Sequence, residues 1–227
     1  MAEQDVGVRP SEKVERLTLG DSTTDQLRRM IISGELPDGK ALRQDEIAAR
    51  LGVSRSPLRE ALSRLEAEGL IAGIRHRGYV VTGLSHDEIL ELFELRAMLE
   101  PDLIARAIPR MTQEDIEKAK IELSAYDREI SGAAHPAWGE GNTRFHMALY
   151  SPSGRTTALE IVRGLLTKTA RYTRTVLTLG TGVDQAKEDH SNLLALCSNR
   201  SPHLAAALTR DHIERARDDL FRLLEQS

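Results

Sequence analysis

The stretch from Leu42 to Leu70, LRQDEIAARLGVSRSPLREALSRLEAEGL, leaves the chain few ways to fold. Its first half puts Ile47, Ala48 and Leu51 on one helical face. Its second half spaces Leu58, Ala61, Leu62 and Leu65 as i, i+3, i+4 and i+7, the stripe of an amphipathic helix. Gly52-Val53 makes a tight turn between them. Two apolar-faced helices joined by a glycine turn form a helix-turn-helix, a unit whose second helix can enter a DNA major groove. That second helix opens with Ser54-Arg55-Ser56-Pro57-Leu58-Arg59. Ser54 or Ser56 is expected to cap its free N–H groups, and proline is tolerated in a first turn. Arg55 and Arg59 lie four apart and project from one face, where a guanidinium can reach guanine acceptors or clamp phosphate. The plainer alternative is a pair of solvated charges, with Arg59 paired to Glu66 or a neighbour.

The flanks favour the first reading. After Gly69 the run IAGIRHRGYVV places two apolar segments around Arg75-His76-Arg77-Gly78, the pattern of a β-hairpin with a basic tip. Ahead of the unit, Leu27, Met30 and Ile31 mark another helix, stopped by Gly34 and followed by the turn Pro37-Asp38-Gly39. Three helices and a hairpin make a winged helix.

Charge agrees with a site-specific reader. The chain of 227 residues has a formal net charge of −4, which argues against indiscriminate coating of nucleic acid. Residues 54–79 nevertheless hold five arginines against three glutamates, while residues 85–227 hold 18 basic and 22 acidic groups. Aromatic residues make up 4%, too few for base-stacking platforms. The single cysteine, Cys197, excludes an internal disulfide framework and its spacing after Leu193 and Leu194 suggests a buried thiol. With no bilayer-length apolar run and no basic-then-apolar leader, the expected location is the cytoplasm, with no membrane partner.

The expected organisation is mainly α. Residues 1–20 form an arm, 21–82 the winged helix-turn-helix, 83–85 a linker, and 86–227 an antiparallel all-helical bundle. Capping sequences at Ser85-His86-Asp87-Glu88 and Thr112-Gln113-Glu114-Asp115 start the first two bundle helices. Further helices are expected at about 137–150, 156–179, 183–198 and 202–225.

Three histidines fall on the inward stripes of three different helices. His146 lies with Leu149 and Tyr150, His190 with Leu193, Leu194 and Cys197, and His212 with Leu208 and Ala216. For any one of them a hydrogen-bonded core histidine is the simpler reading. Three buried imidazoles each need a partner, and a divalent metal satisfies all three at once. Asn142, one turn before His146, can add an oxygen. Arg96 falls inside the apolar stripe of Ile89, Leu92, Phe93 and Leu103, so it needs a partner: Glu100 one turn on, or an anion.

Two family resemblances follow from these residues. Leu27 to Val81 resembles the DNA-binding domain of the GntR family of bacterial transcription regulators, through ISGELPDGKAL, EIAARLGVSRSPLREALSRLEAEGLI and RGYVV. The second half resembles the FCD ligand-binding domain of the FadR subfamily. Its motifs are ELRAMLEP at 94–101, NTRFHMAL at 142–149, EDHSNLLAL at 188–196 and RDHIERA at 210–216. The resemblance implies a homodimeric regulator, most simply a repressor, on a palindromic double-stranded operator. It implies operator contacts from Ser54, Arg55, Ser56 and Arg59, and minor-groove contacts around Gly78, with Arg75, His76 and Arg77 beside it. Some relatives carry arginine where this chain has Asp45, and Arg43 is expected to supply a phosphate contact instead. In the bundle it implies a divalent metal, zinc first and nickel or manganese next, held by Asn142, His146, His190 and His212, with Asp102 a substitute fourth ligand. A small organic acid effector would meet Arg96, with Arg171 and Arg174 as further candidates. Three histidines around a metal also describe a hydrolase carrying a DNA-binding head. That alternative needs a general base, and Glu188, two residues from His190, points away from the ligand face.

Overall fold

A computed structural model describes residues 18–74, 78–131, 138–179 and 182–225. Helix α1 (Leu19–Ile32) opens on a capping box, in which the Thr18 hydroxyl accepts from Asp21 N–H and the Asp21 carboxylate accepts from Thr18 N–H. The helix therefore begins inside the stretch expected to be an arm; residues 1–17 lie outside the described residues. Helix α2 (Gln44–Leu51) ends at Gly52, whose φ of 66° is left-handed and open to glycine at no steric cost. Helix α3 (Arg55–Ala67) follows at once. Ser54 is its N-cap by backbone geometry, yet no side-chain capping bond forms, contrary to expectation.

The hairpin is present as β2 (Ile71–Ile74) against β3 (Gly78–Val81), antiparallel, with Ile74 opposite Gly78. Residues 75–77 at its tip are outside the described set. A further strand, β1 (Ala41–Leu42), pairs with the other edge of β3, giving the order β1-β3-β2. Two residues are too few to display a period-two pattern, so this strand had no sequence signal. The head closes on Leu27, Ile31, Leu36, Leu42, Leu58, Leu62, Leu65 and Ile71, each at most 2% exposed. Each such leucine or isoleucine contributes about 1.5–3 kcal/mol by leaving water.

Residues 82–85 connect the head to α4 (His86–Ala107), which starts with a second capping box between Ser85 and Glu88. It runs through Pro101, giving up one backbone hydrogen bond. Then come α5 (Gln113–Ser131), α6 (Trp138–Tyr150), α7 (Thr156–Leu179), α8 (Gly182–Ser198) and α9 (Pro202–Glu225). Leu103, Ile104, Tyr126, Phe145, Leu149, Tyr150, Val162, Leu166 and Leu193 fill the bundle's main core. Cys197 is buried there, and burial pushes its thiol pKa up to about 12. No helix among the described residues is long and apolar enough to cross a membrane.

Candidate metal and effector pocket and DNA-reading face

The bundle brings His146 of α6, His190 of α8 and His212 of α9 together. One nitrogen from each lies within 4.8 Å of the others. His146 and His190 are fully buried and His212 is 9% exposed. The Nε2 atoms of His190 and His212 face each other at 3.3 Å. That matches the edge of about 3.3 Å expected between two nitrogens around a tetrahedral ion with Zn–N bonds of about 2.0–2.1 Å. His146 Nε2 and His190 Nδ1 are buried with no hydrogen-bond partner, which is costly for an imidazole unless something else satisfies it. Burial, then the charges of the neighbouring imidazoles and Arg96, holds the His146 pKa well below the ordinary histidine value. Burial and then His212 do the same to His190. Neutral imidazole is the form that ligates a metal.

A carboxylate orients the third ring. His212 Nδ1 donates to Asp189 Oδ2 at 2.9 Å, so a neutral His212 turns a bare Nε2 to the cluster. Asp189 also accepts from Arg215 at 2.7 Å and Gln185 at 3.0 Å. Burial pushes the Asp189 carboxyl up, but these donors outweigh it and hold it below the usual carboxylate range. Beside the cluster lies a cavity of about 40 Å³, lined by Arg96, Asn142, Asp189, His190, His212 and Arg215 among others. That exceeds the roughly 10–15 Å³ that a single water needs.

Arg96 finds the Glu100 partner that the spacing offered, and it also borders the cavity. Its Nε donates to Glu100 Oε1 at 2.7 Å and its Nη1 to the Thr169 hydroxyl at 3.2 Å, while it also lines the cavity. Glu100 Oε2 accepts from the Tyr150 hydroxyl at 2.8 Å, and that hydroxyl is 3.1 Å from His146 Nδ1. Asn142 is 5% exposed and reaches the same cavity. Asp102 does not: it is half-exposed and paired with Arg106 at 2.6 Å, so it is not a substitute ligand. Arg171 and Arg174 also lie elsewhere. Arg171 binds Asp38 and donates to the Thr82 carbonyl at 2.6 Å, and Arg174 donates to the Ser33 carbonyl, so both grip the DNA-binding head. They sit on the outer side of α7, whose inner side supplies Thr173, Val176 and Leu177 to the cavity. Helical spacing alone could not tell those two sides apart.

Asp189, Arg215 and Thr169 were not singled out from the sequence, and Tyr150 was read there only as a packing neighbour of His146. Arg215 sits three residues after His212, one turn on along the same helix, which was a usable signal. Asp189 adjoins His190 but serves His212 on the next helix, which only packing reveals.

On the head, Arg43, Arg55, Arg59 and Gly78 border one open cleft with Asp45 and Glu46. Arg59 is exposed and makes no ion pair among the described residues; Glu66 instead accepts from Gly73 N–H at 2.9 Å, tying α3 to β2. Arg55 pairs with Asp45 at 2.8 Å and Arg43 with Glu46 at 3.2 Å, all exposed. Ser54 and Ser56 are exposed at the N-terminus of α3, where free N–H groups favour phosphate. Gly78 has φ 88°, and an added Cβ would sit 3.1 Å from the Leu42 carbonyl, so the wing needs glycine there. Arg75, His76 and Arg77 fall outside the described residues.

Fold and sites together define a class: a winged-helix DNA-binding head on a helical body with a buried histidine pocket. The chain belongs to the gntR family of bacterial regulatory proteins, whose model matches residues 19–81, and carries an FCD domain over residues 91–215. It is 30% identical over 196 residues to the HTH-type transcriptional repressor GlaR of Escherichia coli K12, covering 82% of this chain and 89% of that one. It is 29% identical over 197 residues to the Nta operon transcriptional regulator of Aminobacter aminovorans, covering 86% and 91%. The solved structure of McbR/YncC from E. coli shares its fold, with a TM-score of 0.79 at 19% identity, covering 92% of this chain and 100% of that one. The chain is a transcription regulator. The hydrolase alternative finds no support among these relatives, and Glu188 is exposed.

Proposed function

We propose that this regulator is a metabolite-responsive repressor that binds a palindromic operator as a homodimer and senses a small carboxylate in its helical pocket. His146, His190 and His212, with Asn142, would hold a divalent ion, zinc before nickel or manganese. When bound, that ion supplies positive charge and open positions for an effector oxygen. The convergence of three buried imidazoles, with His146 Nε2 left unpartnered, beside a cavity lined by Arg96 and Arg215 is the observation that carries this reading. An arginine at that wall neutralises a carboxylate and fixes its orientation. Repression is favoured by the name of the E. coli relative.

Operator contacts are assigned to Arg43, Ser54, Arg55, Ser56, Arg59, the wing residues Arg75, His76 and Arg77, and Gly78. Helix α7 is the physical link between pocket and head. Thr169 holds Arg96 and Thr173 lines the cavity, while Arg171, Tyr172 and Arg174, on the intervening positions, hold Asp38, residues 82–84 and Ser33. An effector that favours one position of α7 biases the head by that preference and no more.

The test is a gel shift at fixed salt with the chain's own upstream DNA and a scrambled control. Zinc, then sugar acids, hydroxy acids and dicarboxylates, are titrated in. Preference for the native sequence that one acid class changes in zinc-loaded protein supports the reading. Equal binding to both DNAs under every condition overturns it.

A further inference from the structure

We propose that Glu100 and Tyr150 are positioning residues which decide which nitrogen of His146 carries its proton, and so whether the Nε2 facing the histidine cluster is bare, with Arg96 setting the direction of their hydrogen bonds. This rests on the metal-pocket reading above for its meaning, but its first test does not require metal.

The argument uses only donors and acceptors. Arg96 can only donate, and its Nε does so to Glu100 Oε1 at 2.7 Å. The Glu100 carboxylate, paired to that guanidinium and fully buried, can only accept. Tyr150 has one proton, and its hydroxyl lies 2.8 Å from Glu100 Oε2, so the proton points there. Its oxygen then has only lone pairs for His146 Nδ1 at 3.1 Å, and His146 must donate from Nδ1. A neutral His146 with its proton on Nδ1 leaves Nε2 bare, and Nε2 is the buried, unpartnered atom. The relay Arg96–Glu100–Tyr150–His146 thus fixes the tautomer a ligand needs. It also joins the cavity-facing arginine to the imidazole as one unit.

Substitutions should reverse the relay in a sign-specific way. In Glu100→Gln, Arg96 still requires an acceptor, so the amide oxygen turns to Arg96 and the NH2 faces Tyr150. Tyr150 then accepts from the amide and donates to His146 Nδ1, which moves the imidazole proton to Nε2. In Tyr150→Phe the relay is cut and neither tautomer is imposed. In the double variant the amide has no hydroxyl through which to act.

The experiment is histidine-selective 15N NMR of full-length, metal-free protein, followed by competitive zinc titration and thermal unfolding of each variant. The wild type is expected to show His146 protonated at Nδ1, Glu100→Gln at Nε2, and Tyr150→Phe a mixture. Zinc affinity is expected to fall about ten-fold in Tyr150→Phe and about a hundred-fold in Glu100→Gln, the range for lost outer-shell partners. The double variant should return to the Tyr150→Phe value, although it is the more heavily altered protein. A purely packing role predicts a double variant weaker than either single one. That result, or an unchanged tautomer in Glu100→Gln, overturns the proposal. Should Glu100→Gln fail to fold, Tyr150→Phe decides: retention of a pure Nδ1–H tautomer overturns the relay, and a mixture supports it. A wild type that shows the expected tautomer yet binds no zinc would sink the metal-pocket reading and leave the relay standing.

Discussion

Arg171→Ala should loosen the head from the helical body without disturbing either core. Arg171 is 11% exposed, its partner Asp38 is 47% exposed, and its second Nη donates to the Thr82 carbonyl at 2.6 Å. A hydrogen bond from a charged donor to a buried-side carbonyl is worth about 1.5–3 kcal/mol. The ion pair with half-exposed Asp38 is discounted for solvent screening to under about 1 kcal/mol. The guanidinium also lies 4.8 Å from the centre of the Tyr172 ring, but both belong to α7, so that contact survives undocking and is not counted. With Arg174 still holding Ser33, the net loss is about 2 kcal/mol, or roughly thirty-fold in the docked population. The Leu84 amide reports this directly, because it donates to the Tyr172 hydroxyl at 3.1 Å across the same contact. Amide hydrogen exchange of full-length protein should show the Leu84 amide opening roughly thirty-fold more often, while α4 and the head core keep their protection. Asp38→Asn should change it only a few-fold, since it removes only the screened pair. Unchanged exchange at Leu84 in Arg171→Ala would refute the latch and the assignment of α7 as the link.

Three further outcomes follow from the geometry. Arg59→Ala should weaken binding to the operator by about 1–3 kcal/mol and reduce discrimination against scrambled DNA; unchanged affinity in a salt-controlled gel shift removes Arg59 from the reading face. His146→Ala should strip bound zinc from purified protein while leaving the far-ultraviolet circular dichroism intact, and full metal occupancy in that variant counts against the pocket. The metal-free wild type should lose stability on acidification. His146 and His190 are held below their ordinary value in the folded state, so below about pH 6.5 the unfolded chain binds more protons, and stability falls by about 1.4 kcal/mol per pH unit for each imidazole. Above that pH the two rings contribute no slope. Urea midpoints that stay flat from pH 7.5 to 5.5 contradict the burial of these two rings as neutral groups.

The sequence alone marked the helices and the hairpin. Apolar spacing from Leu42 to Leu70 and the boxes at Ser85 and Thr112 fix helices locally, because capping and periodicity act over a few residues. The three histidines were legible as an inward set, since each shares its own helix's apolar stripe. Tertiary structure decided which faces meet. Period 3.6 places Arg96, Arg171 and Arg174 on helices but does not say which neighbour each will face, and only Arg96 faces the cavity. Asp102, one turn beyond Met98 on the exposed side of α4, resembles a ligand only until the helix is docked. Asp189 adjoins one histidine in the chain and orients another on a different helix, because α8 and α9 pack side by side. The Arg96–Glu100–Tyr150–His146 relay joins α4 to α6 across 50 residues of sequence. Contacts made between helices obey the packing of the whole bundle, and no local pattern carries them.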